Sequence, residues 1–185
     1  MLIRNLVLAT SVFLVTLVLG ILIAHNTSLE ILSQLGELLK PLKPAGNFSL
    51  LLLLIIFVNN AIKALGAVFF GILLGFPPLV FISLNGFIIG GVVSAVKEIE
   101  GLAYAVVSIA PHGIIEIPAI LVATALGLTV GSESVKWLAR RESHVKSKLS
   151  YCLKLYLRWV LPGLAVAALI EVFVTPWLVG LVGGG

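Results

Sequence analysis

The sequence predicts an all-α, polytopic helical membrane protein, with five transmembrane helices plus an interfacial amphipathic helix. Three observations predict it. First, 60% of the 185 residues are hydrophobic and only 11% are charged, with a mean hydropathy of +1.20. A soluble domain carries roughly 45–50% apolar and about 25% charged residues. Second, the apolar residues gather into five runs, each longer than the roughly 17 residues that cross a hydrocarbon core. Third, the basic residues gather between two of those runs, as topology signals do. A single membrane domain over residues 1–185 is expected.

Composition also excludes several classes. The lone Cys152 rules out an internal disulfide framework and any cysteine-based zinc site. The net charge of +4 comes mostly from one segment, so no nucleic-acid partner is expected. All acidic residues are glutamate.

The first span is expected at about 6–24. Arg4 before it raises a signal-peptide reading, but Leu22 and Ala24 make a poor cleavage site. A retained helix is the better expectation. Residues at about 28–40 differ in pattern. Leu29, Leu32, Leu35, Leu38 and Leu39 share one helical face, and Glu30, Ser33, Gln34 and Glu37 the other. That pattern predicts an amphipathic helix in the interface, ended by Pro41 and Pro44. The remaining spans are expected at about 48–75, 79–96, 103–130 and 155–180. Gly75-Phe76-Pro77-Pro78 reads as a tight link between the second and third, because proline does not continue a helix.

Charge sets the orientation. The segment after the fourth span carries Lys136, Arg140, Arg141, Lys146, Lys148, Lys154 and Arg158 against Glu133 and Glu142. By the positive-inside rule the N-terminus and the 131–154 loop are cytoplasmic and the C-terminus is outside. Trp137, Tyr151, Tyr156 and Trp159 are then expected as aromatic anchors at the inner interface.

A shift of 52 residues lays NNAIKALGAVFFGILLG (59–75) over PHGIIEIPAILVATALG (111–127). Asn60 then meets His112, and Ala67, Gly71 and Gly75 meet Ala119, Ala123 and Gly127. Small residues at every fourth position form a ridge that lets membrane helices approach closely. The coincidence suggests a duplicated two-helix unit, with ridges buried against other helices or against a second copy.

Chemistry is expected where ionisable residues sit in apolar runs. Lys63, His112, Glu116 and Glu171 do so, and a charge there costs at least about 2.5–3.5 kcal/mol. Asn59 and Asn60 lie beside Lys63, and Asn85 lies in the third span. His112 and Glu116 are one turn apart, bracketed by Pro111 and Pro118. These residues form the candidate polar network. An ion pair from Lys63 to Glu116 or Glu171 is expected, which leaves one carboxylate over. That surplus calls for a proton, a charged histidine or a bound cation. His112, Glu116 and Glu171 are the metal candidates, with the metal unassigned and no cofactor indicated. Ser108, His112 and Glu116 are spaced like a triad only on paper, since Pro111 disturbs the turn and no oxyanion hole is visible. A satisfied interior network that needs no substrate explains the same residues equally well.

At these positions the chain resembles the stage II sporulation protein M family. The resemblance is carried by P-H-G-I-I-E-I-P-A at 111–119, S-L-N-G-F-I-I-G at 83–90, A-L-I-E-V-F-V-T-P at 168–176 and N-N-A-x-K-A at 59–64. The order and spacing match over nearly the whole chain. The resemblance implies a polytopic membrane protein. In spore formers the namesake anchors partners that degrade peptidoglycan during engulfment, and the family extends well beyond them. It also implies that Asn60, Asn85, His112, Glu116 and Glu171 are characteristic polar positions, and it brings no catalytic activity. The expected function is therefore a non-enzymatic scaffold in the cell membrane. A small transporter, channel or lipid-handling protein stands second. Expected partners are membrane lipids, other membrane proteins and a second copy of the chain.

Overall fold

A computed structural model describes residues 1–25 and 50–182, the side chain of His112 excepted. All regular structure in these residues is helical. Helix α1 is Leu2–His25, α2 is Leu50–Phe69, α3 is Phe76–Glu100 and α4 is Leu102–Leu138. The last part of the chain comprises α5 (Val145–Leu155), α6 (Leu161–Leu169) and α7 (Thr175–Val182), joined through two wider π-type turns. Five helical stretches are long and apolar enough to cross a bilayer, at Leu2–His25, Leu50–Ile72, Phe76–Glu100, Gly113–Leu138 and Val145–Val182. The expected interfacial helix at about 28–40 lies outside the described residues.

Helix α4 is the central post, touching every other helix. Its residues Ala123 through Gly131 are buried without a break. This stretch is rich in Gly, Ala and Thr because neighbouring backbones press directly on it. A Cβ on Gly127 would lie 2.6 Å from Pro78 Cγ and overlap the Ala67 carbonyl oxygen. A Cβ on Gly71 would overlap the Gly127 carbonyl oxygen and lie 2.8 Å from its Cα. The two ridges noticed in the sequence thus pack on each other, Gly71 against Gly127. That is one turn away from the register at which the sequences align, where Gly71 meets Ala123.

The Gly86–Gly90 ridge of α3 is used in the same way, against α1. A Cβ on Gly86 would lie 2.6 Å from the Phe13 carbonyl oxygen, and one on Gly90 would lie 3.0 Å from Ile21 N. Gly20 returns the contact, since its Cβ would overlap the Phe87 carbonyl oxygen. All these ridges are consumed inside one chain.

Four contacts fix which helix ends lie together. Asn5 Nδ2 donates to Thr129 Oγ1 at 2.9 Å, so the start of α1 meets the end of α4. Gly75 packs on Gly131, so the α2–α3 turn lies there too. The His144 backbone N–H donates to Glu133 Oε2 at 3.2 Å, which folds the basic segment against the same end, and within α4 Lys136 Nζ donates to Glu133 Oε1 at 2.7 Å. At the opposite end His25 approaches Glu98 at 3.6 Å. Helices α1 and α3 therefore run parallel, and so do α2 and α4.

Several boundaries differ from expectation for physical reasons. Pro77 and Pro78 lie inside the first turn of α3, not in the link. First-turn N–H groups have no intrahelical acceptor, so proline loses nothing there. The turn falls instead on Leu73–Gly75, where Gly75 has φ +80°, the left-handed region that glycine enters without strain. Helix α4 continues past residue 130 to Leu138 because its polar residues are satisfied locally. Ser132 Oγ donates to the Leu128 carbonyl at 2.9 Å, and Glu133 has the partners just named. The last span begins early, at Val145, because Cys152 packs into the core beside it.

Tyr156 is not an interfacial anchor. It is 2% exposed, and its hydroxyl donates to the Ala61 carbonyl oxygen at 2.7 Å across the α2 seam. Trp137, Tyr151 and Trp159 are exposed. Tyr156→Phe removes one buried hydrogen bond and should cost about 1–2 kcal/mol in detergent unfolding, with the helical content unchanged.

Candidate functional site in the loosely packed half

Packing density falls along the bundle. No residue of α2 from Leu50 to Asn60 is buried, and between Leu102 and Pro118 only Ala105 and Gly113 are buried among the described side chains. The end that holds Gly127 and Gly131 is tight, and the end that holds Gly101 is open. The sequence-predicted polar residues fall at mid-height and in this open half.

Helix register places them. Asn60 lies eleven residues before Gly71, and Glu116 eleven before Gly127, so the two share a level. Gly163 packs on Ala119, a Cβ at Gly163 lying 3.6 Å from the Ala119 Cβ. Eight residues further along the antiparallel segment, Glu171 reaches the level of the Pro111–His112 backbone, about 12 Å away at a rise of 1.5 Å per residue. Glu116 and Glu171 are both half-buried. Asn85 sits nearer the tight end, seven residues beyond Pro78.

Among the described residues, Lys63, Asn59, Asn60 and Asn85 form no hydrogen bond or ion pair with the candidate carboxylates. Asn59 Nδ2 donates to Asn60 Oδ1 at 3.3 Å on an exposed face. Asn85 Nδ2 donates to the Phe81 carbonyl oxygen of its own helix at 2.7 Å. Ser108 Oγ donates to the Ala105 carbonyl oxygen of its own helix at 3.1 Å. Lys63 is exposed and forms no ion pair with a carboxylate among the described residues. The reason is angular. Ala61, Ala64 and Val68 take the inward face of α2, which turns Lys63 outward. Among the described residues no three His, Cys, Asp or Glu side chains gather as metal ligands.

Two features of the site were not expected from the sequence. The first is the setting of Glu171. It lies in the π-type turn Ile170–Val174, just before Pro176. Proline has no N–H to offer the carbonyl four residues back, and its ring crowds that carbonyl, so the preceding turn widens. Thr175 Oγ1 adds a bond to the Ile170 carbonyl at 3.3 Å. The turn at Tyr156–Val160 precedes Pro162 in the same way. The signal was present as paired prolines fourteen residues apart. The second feature is a cleft of about 410 Å³ between α2 and α3, in which Lys63, Gly66 and Phe70 face Phe76, Val80 and Leu84.

A five-span helical bundle with apolar outer faces and polar residues at mid-depth defines a polytopic α-helical membrane protein. Residues 9–176 match the family model described as Stage II sporulation protein M, and the chain belongs to that family. No curated protein and no solved structure matches this chain.

Proposed function

We propose that this protein is a non-enzymatic membrane scaffold that holds other membrane proteins. One observation carries the reading. The asparagines and the lysine at mid-depth are satisfied on their own helices or turned outward, as with Asn85 on Phe81 and Lys63 in its open cleft. A converging site would draw them together. The packed glycine core supplies a rigid post, and the outer faces are free for lipids and partner helices. A homodimer would have to use those leucine-rich faces, because the small-residue ridges are spent inside the chain.

The half-buried Glu171 favours a second reading, a proton or cation path through the open half. A liposome flux assay separates the two. The scaffold predicts no proton or cation flux in wild type, Glu116→Gln or Glu171→Gln. Flux in wild type that either glutamine variant abolishes would replace the scaffold with transport.

The orientation proposed for both readings puts the 131–154 segment, the end of α4 and most of α5, on the cytoplasmic side. Arg4 adjoins Asn5, at the same bundle end as Arg140, Arg141 and Lys146, which supports the positive-inside assignment. Ser147→Cys should resist an impermeant thiol reagent in intact cells and react after permeabilisation. The buried Cys152 contributes little background. Labelling of intact cells would invert the topology.

A further inference from the structure

We propose that the cleft between α2 and α3 docks a transmembrane helix of another protein that carries a glutamate or aspartate near its middle, with Lys63 as the pairing group. This rests on the scaffold reading and names its partner's chemistry. Lys63 lies nine residues before Ile72, about 14 Å along the axis, which is near the middle of a hydrocarbon core of about 30 Å. It is exposed there without a carboxylate partner among the described residues. An ammonium at that depth is costly until an anion meets it.

The residues lining this open cleft are spaced to suit a helix. Lys63, Gly66 and Phe70 recur at three and four residues along one wall, and Phe76, Val80 and Leu84 at four along the other. Two such stripes cradle a helix, whose anchors follow the same spacing. Gly66 has open space above it, since a Cβ there would meet nothing nearer than the Phe70 ring of its own helix at 3.8 Å. That opening admits a close helix approach. A phospholipid does not fit as well. Its charged group stays in the headgroup layer, and the lysine stem is too short to climb from mid-core. A second copy presenting the same cleft is disfavoured, because a two-fold contact sets Lys63 against Lys63.

The test uses the full chain in phosphatidylcholine vesicles and labelled Leu/Ala helices of about 20 residues with one central Glu, Gln or Lys. Energy transfer should report association of the Glu helix with wild type about tenfold tighter than the Gln helix. Lys63→Arg should keep that preference and Lys63→Met should erase it. Leu84→Trp, which fills the cleft, should weaken binding of the Glu helix. Unchanged melting of Lys63→Met confirms that the fold is intact. Equal binding of Glu and Gln helices, or full binding to Lys63→Met, overturns the proposal. So does displacement of the Glu helix by oleate or phosphatidylglycerol, which would make the occupant a lipid. Lys63-dependent self-association of the chain would make it a second copy and overturn the proposal equally. The scaffold reading fails separately. Photo-crosslinkers at exposed Val18 and Leu84 that trap no partner chain in native membranes would end it, whereas trapping at Val18 alone would keep the scaffold and discard the cleft.

Discussion

Gly127→Ala is expected to destabilise the bundle by about 2 kcal/mol, and Gly127→Val by about 3 kcal/mol or more, the upper end of overpacking costs. The added Cβ falls on the Ala67 carbonyl oxygen and on Pro78, so two helices must retreat from the central post together. Backbone cannot rotate aside as a side chain can. The better helix propensity of alanine, about 1 kcal/mol in water, offsets only part of this. Denaturant titration in mixed micelles, followed by tryptophan fluorescence, reads the change. Gly180→Ala is the matched control, because a Cβ there meets nothing within 4 Å. Equal stability of Gly127→Ala and Gly180→Ala would refute the close contact of α2, α3 and α4.

Gly90→Val should have an effect of similar size at a different seam. Its Cβ overlaps the Leu17 carbonyl oxygen and lies 2.9 Å from the carbonyl carbon, so α1 must lift away from α3. A cost of about 3 kcal/mol is expected, and the first helix should become accessible to protease before the rest of the bundle opens. The neighbouring Gly91 provides the contrast. It has open space at its Cβ position, and Gly91→Ala should be neutral or stabilising by up to about 1 kcal/mol. Simultaneous digestion of all helices in Gly90→Val would show that α1 is not a separable layer.

The contrast between Gly90 and Gly91 shows what kind of information a sequence holds. Both are glycines in one apolar helix, and hydropathy treats them alike. Only the position of α1 makes one indispensable and the other replaceable. The spacing of Gly86 and Gly90 did mark a ridge, because close packing of membrane helices requires small residues one turn apart. It did not say which helix would occupy it.

The sequence by itself determined the all-α class and the five apolar spans, because hydrocarbon thickness and backbone hydrogen bonding leave few other ways to cross a membrane; the family was legible only through the resemblance of its motifs at 59–64, 83–90, 111–119 and 168–176. It also marked Asn59, Asn60, Lys63, Asn85, His112, Glu116 and Glu171 as unusual, because charge and amide groups in apolar runs are visible without coordinates. Tertiary structure alone decided their relations. Lys63 does not meet Glu116 or Glu171, because the alanines of α2 claim the packed face and turn the lysine outward. Tyr156, expected as an anchor from its neighbours, is buried instead, its hydroxyl donating a hydrogen bond to the Ala61 carbonyl ninety-five residues away in the chain. Glu171 lies half-buried in the turn widened before Pro176, a setting that hydropathy does not reveal. Periodicity fixes which residues share a face of one helix. The rotation of each helix about its own axis depends on every neighbour at once, and that was settled only when Gly71, Gly127 and Pro78 came into contact.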